Sequence, residues 1–445
     1  MDTHNPKKPR LPLLLSSEER GALAGERGTT YQKLMQTMVL YAEALNADRL
    51  IDVEGPGHLV INDSRPGWGA RLEFLEEVSR AGLRATFPFT IDPPAPYRDP
   101  ALKLTPEQTE AMNRRYVHED RYQMLLSTLG LNVRHEATCT PWFTQVGNTP
   151  AFGQVVAWAE SSAVVYVNSV LGARTHRNAG VIELISNLVG KTPNAGLITD
   201  EGRKASHLVR VTTSSRPDAQ VLGNLIGGAV ADEVPYIIGL DRHLGSVADV
   251  STQQFLHDLG TTCAVAGGVG LFHIENVTPE AMAAGRSLLR PGARELVITD
   301  VDVESVGRAI HAPRGANSIK PTMCLVGCPH VTLQQLHAWT ANIGREMRRY
   351  GRDRLAVETI LVAAPAVIRA FATCPDAYQA LTGWGVRLSS FCLEGLMQDR
   401  AIAPSVVVTN SNKLRHYNTG VYLYSDEELA RIVVTGVIEP QRDER

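Results

Sequence analysis

The sequence predicts a layered α/β/α fold of several lobes with mostly parallel sheets. Two observations predict it. The chain has 445 residues, too many for one small core and enough for two or three lobes of ordinary size. Its second half alternates short β-branched runs with segments that open on helix N-caps, the pattern of parallel strands joined by crossover helices. Hydrophobic residues make up 44% and charged residues 20% of the chain, the balance of an ordinary globular protein.

The elements follow in order. Residues 16–47 read as helical, with Leu34, Met38, Tyr41 and Leu45 on one face. Residues 59–61 read as a short strand. Thr105-Pro106-Glu107-Gln108 is a capping box with proline at the first helical position, so a helix should run from it toward Leu129. Residues 236–240, 263–272, 295–299, 323–326, 359–363, 385–388 and 405–408 are strand-like. Thr278, Thr332 with Gln335, and Ser425 with Glu428 start helices among them. On this reading residues 1–15 are a frayed tail and 16–205 an N-terminal lobe. Residues 206–384 make one or more α/β lobes, and 385–445 form a C-terminal segment that returns to the site.

Composition excludes several functions. The net charge of −3 gives no electrostatic case for general nucleic-acid binding. Arg345, Arg348, Arg349, Arg352 and Arg354 read as one solvated helix face. No apolar run reaches the roughly 18 residues of a membrane span. Leu11 to Leu15, broken by Pro12, is too short for a signal-peptide core, so a cytoplasmic protein is expected. The six cysteines, Cys139, Cys263, Cys324, Cys328, Cys374 and Cys392, are too sparse for a disulfide scaffold. An unbroken strand would turn Cys324 and Cys328 to one side. Gly267-Gly268-Val269-Gly270, read as following a strand, lacks the full dinucleotide fingerprint, and Gly227-Gly228 reads as a turn or close helix packing.

Four stretches carry chemistry. Residues 137–180 set Cys139, Thr140, Asn148, Glu160, Ser161, Ser162, Asn168, Ser169, Arg174, Thr175, His176 and Arg177 in an apolar framework. That mixture suits a site lined by donors, in which Arg174 and Arg177 clamp a carboxylate; an interior hydrogen-bond network explains it equally well. In residues 323–332 a strand ends at Gly327-Cys328-Pro329-His330 just before a helix start. A thiol there is favoured as thiolate, the form that binds iron, although a buried thiol in a turn fits as well. In residues 405–417 another strand runs into Thr409-Asn410-Ser411-Asn412-Lys413, an anion cradle or an ordinary turn. Ser389-Ser390-Phe391-Cys392 is a fourth strand end.

Together these residues resemble the aconitase X family. Thr138-Cys139-Thr140-Pro141, Glu160-Ser161-Ser162-Ala163 and the run from Asn168 to Thr175 are similar to its central signature. Gly327-Cys328-Pro329-His330 and Thr409-Asn410-Ser411 with Lys413 and Tyr417 resemble two further motifs in the family's order. The resemblance implies an aconitase-like catalytic body that dehydrates a small hydroxy acid. The family's substrates are cis-3-hydroxy-L-proline, the first choice here, and 5-phosphomevalonate, the alternative. It implies an iron–sulfur cluster, 2Fe-2S or 3Fe/4Fe-4S, on Cys139, Cys328 and Cys392. Ser162, Asn168, Arg174, His176 and Lys413 would be catalytic. Thr140, Glu160, Ser161, Thr175, Arg177, His330 and Ser411 would bind substrate. The family's small swivel domain is not found in the chain, so a separate small subunit is implied, bringing a catalytic serine. Trp142, Gln154, His176, Ser390 and Phe391 depart from the family pattern and are expected around the site. A phosphorylated substrate would need Lys413, Arg415 and Arg216 to converge with Arg174. A binding or regulatory relative without turnover is the competing class.

Overall fold

The computed structural model describes residues 12–60, 68–132, 137–311 and 320–438. The first lobe opens with two helices, Ser17–Leu23 and Thr29–Ala44. Ser16 and Glu19 close a capping box on the first. Gly25 and Gly28, at φ of 91° and 88°, break what the sequence presents as one helical run. Leu34 and Met38 are buried as expected, while Leu45 at the C-cap faces solvent. Four short strands follow: β1 (Leu50–Asp52), β2 (His58–Leu59), β3 (Thr90–Ile91) and β4 (Lys191–Pro193). β1 pairs antiparallel with β4, and β2 parallel with β3. Ile61 of the expected strand lies outside the described residues. The capping box at Thr105 and Gln108 forms, but the helix it opens stops at Arg115, and a second one, Glu119–Leu129, completes the run.

The second lobe is a four-stranded parallel sheet, ordered β7-β6-β5-β8, of β5 (Ala205–Val211), β6 (Pro235–Ile238), β7 (His273–Ile274) and β8 (Leu289–Ile298). Residues 263–272 are not the strand that their apolar run suggests. Cys263 and Ala264 belong to the helix Val250–Ala266, whose buried face also carries Phe255, Leu256 and Leu259. A short apolar run reads the same in a buried helix and in a strand. Gly267-Gly268-Val269-Gly270 therefore follows a helix, not a strand. Gly223 and Gly227 let the helix Ala219–Val230 cross this one closely: a Cβ at either would stand 2.6 Å from the carbonyl oxygen of Leu259 or Cys263.

The third lobe is a five-stranded parallel sheet, ordered β11-β10-β9-β12-β13. Its strands are β9 (Met323–Val331), β10 (Glu358–Ala363), β11 (Val386–Ser389), β12 (Val407–Thr409) and β13 (Val421–Leu423). The central β9 does not run evenly. Gly327 takes φ 114°, the Cys328–Pro329 peptide is cis, and the register against β10 shifts between Leu361 and Ala363. Cys324 packs in one core layer with Val326, whereas Cys328 faces the other with Leu325. The expectation that the two thiols share a side fails because the irregularity resets the alternation. Arg345, Arg348 and Arg349 are exposed on the helix Leu333–Tyr350, whereas Arg352 and Arg354, also exposed, lie beyond its C-cap at Gly351, so the five do not form one helix face. No helix among the described residues is long and apolar enough to cross a membrane. The carboxyl ends of β9, β11 and β12 open on one side, where parallel sheets carry their ligands.

Candidate active site

At those strand ends, beside β2 and β3 of the first lobe, lies a cavity of about 150 Å³. Cys139, Cys328 and Cys392 all line it, with Asp92, Arg115, Glu160, His330, Glu394 and Lys413. Each cysteine is fixed by backbone. The Thr138 amide bonds the Ile91 carbonyl at 2.8 Å, tying the Cys139 loop to β3, and Cys139 Sγ accepts from the His330 amide at 3.3 Å. The Cys392 amide donates to Pro94 O at 2.8 Å, and Cys392 Sγ accepts from the Gly395 amide at 3.4 Å, capping the helix Leu393–Gln398. The Cys328 carbonyl accepts from the Ser411 hydroxyl, which also caps the helix Asn412–Tyr417. Burial pushes the Cys328 and Cys392 thiols up to about 12 and raises that of Cys139 well above the ordinary thiol range. The metal-free chain therefore holds thiols, and a bound metal has to displace their protons.

Glu160 and Lys413 form a buried ion pair, Nζ to Oε1 at 2.5 Å. The other Glu160 oxygen accepts from the Ser162 hydroxyl and from the Ala163 amide at 2.7 Å. Burial works against the carboxylate, but Lys413 and these donors outweigh it and hold Glu160 at about 2. Burial likewise opposes the charge on Lys413, and Glu160 beside it holds it on. Glu160 sits at φ 79°, a conformation costly for a side-chain-bearing residue and of the kind found at functional sites.

Three thiols around a single cavity that also holds Lys413 and Arg115 fit an iron–sulfur group in donor chemistry. No three His, Cys, Asp or Glu side chains among the described residues converge enough to hold one metal ion.

Other expected residues gather nearby. Ser161 Oγ donates to Glu160 Oε1 at 3.3 Å. Thr138 Oγ1 lies 2.9 Å from Thr140 Oγ1 and 3.0 Å from His330 Nδ1. Burial pushes His330 down to about 3, so it is a neutral imidazole. The remainder do not line the cavity. Asn168 bonds both backbone groups of Thr175 and the Gly270 carbonyl, and accepts from Arg203. Thr175 Oγ1 accepts from the Trp158 amide. Arg174 donates to Ile198 O at 2.8 Å and Asp200 at 2.5 Å, His176 bonds Pro193 O, and Arg177 packs on Gly268 and Gly270. Asn168, Thr175 and His176 belong to an interior hydrogen-bonded network, while Arg174 reaches an exposed carboxylate and Arg177 lies at the surface.

The departures from the family pattern are not in the cavity wall either, contrary to expectation. Trp142 stacks on Tyr166 at 4.1 Å, Gln154 bonds Glu54 O, His176 lies as described, and Phe391 is buried in the third lobe's core. Sequence reasoning missed Asp92, Arg115 and Glu394. Ile91-Asp92-Pro93 ends β3, so the strand-end rule would have reached Asp92 had so short a strand been recognised.

The first-domain sequence model of aconitase X matches residues 12–201, and the second-domain model residues 205–308. The phosphomevalonate dehydratase large subunit of Thermococcus kodakarensis is 31% identical over 80% of this chain and 82% of its own length. The chain belongs to the aconitase X family. The cis-3-hydroxy-L-proline dehydratase of Hypocrea jecorina is 24% identical over 92% of this aconitase X chain, which spans 66% of that enzyme. The crystal structure of Thermococcus kodakaraensis aconitase X in its holo-form superposes with a TM-score of 0.77 at 27% identity, covering 94% of this chain and 100% of that one. The named aconitase X relatives are dehydratases, and this chain is a hydro-lyase of the same family.

Proposed function

We propose that the chain is the large subunit of a two-chain dehydratase for cis-3-hydroxy-L-proline or a close hydroxy amino acid. On this reading an iron–sulfur cluster sits on Cys139, Cys328 and Cys392. The observation that carries it is the meeting of these three sulfurs, drawn from two lobes, in one cavity with the Lys413–Glu160 pair. When bound, the cluster supplies a Lewis acid for the departing hydroxyl. Lys413 holds a positive charge beside that position, with Ser162 fixing its partner Glu160. Arg115, half-exposed at the cavity and 3.4 Å from Asp399, is placed to receive the substrate carboxylate. A small subunit would cover the opening and exclude water; the name "large subunit" in the archaeal relatives supports such a partner.

The substrate choice follows from charge. The cavity carries Asp92, Glu160 and Glu394 against Lys413 and Arg115, a setting for a zwitterion rather than a phosphate. The cations that a phosphate would need are engaged elsewhere. Arg174 pairs with Asp200, Arg216 donates to Ser251 O over the Phe255 ring, and Arg415 bonds Asn412. One observation favours 5-phosphomevalonate instead: the long 31% match to the Thermococcus kodakarensis large subunit.

The experiment is anaerobic purification with iron and sulfide analysis and a visible spectrum, repeated on Cys328→Ala. Both substrates are then assayed with the small subunit present. Iron and colour that vanish in the variant, with turnover of hydroxyproline, are expected. An iron-free wild type would remove the cluster, and turnover of phosphomevalonate alone would reverse the substrate choice.

A further inference from the structure

A second cavity, of about 420 Å³, is larger than the one at the cysteines and shares none of its lining residues. Its volume falls in the range of small-molecule sites. Three segments of the chain wall it. Trp142 and Phe143 stand just after Cys139 in the sequence. Gln253, Gln254 and His257 belong to the helix Val250–Ala266 of the second lobe. Leu333 and His337 belong to the first turns of the helix Leu333–Tyr350 of the third.

The cysteine cavity is lined by charges, and this one is not. No Asp, Glu, Lys or Arg among the described residues lines it. A charged ligand would give up its hydration here without meeting an opposite charge. The aromatic residues form one cluster. Trp142 lies flat on Tyr166, with ring centroids 4.1 Å apart and planes at 11°. His257 stands edge-on to both, at 5.3 Å and 6.0 Å. Phe143 is edge-on to Trp142 at 5.8 Å. Such walls receive flat rings, through offset stacking or edge-to-face contact.

His257 adds a polar anchor. It is 6% exposed, and its Nε2 has no hydrogen-bond partner among the described residues. Burial pushes it down to about 4, so the ring is neutral and one of its nitrogens is an acceptor. A buried ring nitrogen without a partner is unfavourable, and a ligand that bonds to it removes that penalty.

We propose that this cavity is a binding site for a small, uncharged, flat heteroaromatic molecule, held among Trp142, Phe143 and Tyr166 and donating a ring N–H to His257. The site is separate from the cysteine cavity and does not rest on the dehydratase reading. A molecule seated in it touches the segment that runs on from Cys139 and the helix start that follows Cys328 and β9.

The probe is indole, with benzofuran as a ring system of similar shape that lacks the N–H. Binding is followed by saturation-transfer NMR on the full chain, alone and with the small subunit. Indole is expected to saturate one site with a Kd of about 0.1–1 mM, in both forms. Benzofuran should bind about five- to tenfold more weakly, the share of one hydrogen bond. His257→Leu keeps an apolar wall and is expected to erase that preference. Val250→Trp fills the cavity from a half-exposed position at the start of its helix and is expected to abolish binding at an unchanged melting temperature. The absence of saturable binding would overturn the assignment, as would wild-type affinity for indole in Val250→Trp. Binding that the chain shows alone and loses with the small subunit would make the cavity a seam between subunits and overturn it too. Should His257→Leu fail to fold, Val250→Trp alone decides.

Discussion

Glu183 is a buried acid that accepts from the Asn178 amide at 2.7 Å on one oxygen, while the other oxygen has no hydrogen-bond partner among the described residues. Burial pushes it to about 8 from an ordinary 4.5. The folded state thus keeps a proton that the unfolded chain has released. The stability tied to that proton is complete below about pH 4.5 and is lost as pH rises through about 8. Asp258, pushed to about 8 by burial and by Asp218 and Asp426, acts with the same sign. Glu183→Gln should therefore melt above wild type at pH 8.5, by up to about 4 kcal/mol in stability, and converge with it near pH 5. Melting curves that stay parallel across that range would refute the effect. Lys413→Met has the opposite sense: it leaves Glu160 buried without its cation and should cost about 3–5 kcal/mol by denaturant unfolding, whatever its effect on turnover. Single residues were partly legible beforehand. The three cysteines and the Lys413 and Glu160 pair stood in motifs long enough to read, whereas Asp92 follows a two-residue strand that leaves no periodicity to find.

At the scale of elements, capping boxes were the most readable signals, because each reports a local bond. Those at Thr105, Thr332 and Ser425 all form. Burial on both faces erased the rest: the helix Val250–Ala266 is buried nearly all round in its second half and ends on the apolar run Cys263 to Ala266, so its end passed for a strand. The same packing makes it sensitive. Gly227→Ala puts a methyl group 2.6 Å from the Cys263 carbonyl and 3.0 Å from its Cα, backbone that cannot yield. A loss of about 1–3 kcal/mol is expected in chemical denaturation, with the site's iron content unchanged. Gly228→Ala next to it meets nothing within 4 Å and serves as the control. It should be neutral or slightly stabilising. The strand β9 shows the complementary limit: its alternation was legible up to Val326, and the shift at Gly327 that turns Cys328 toward the cavity was not.

For the whole molecule, the site belongs to no single lobe. Asp92 and Cys139 come from the first, Cys328, Cys392 and Lys413 from the third, and the family's central signature supplies both Glu160 and the network that joins the first lobe to the second. A group bridging these sulfurs acts as a cross-link, so the iron-loaded chain should melt several degrees above the chelator-treated one. In Cys139→Ala, where the first lobe has lost its share, that gap should shrink. Equal gaps in both proteins would mean that the lobes are not joined through the metal. The layered parallel architecture was readable from alternating strands and caps, but the meeting of lobes was not, since nothing local encodes it. The spacing of the ligands also sets a timetable. Cys139 Sγ is bonded to an amide 191 residues further along the chain, and Cys392 lies beyond that again. At about 5–20 residues per second, a ribosome releases the last ligand some 10–50 seconds after the first. On the proposed cluster reading the full set of three sulfurs becomes available only once Cys392 has emerged, so a cluster that joins them enters late in synthesis or after it.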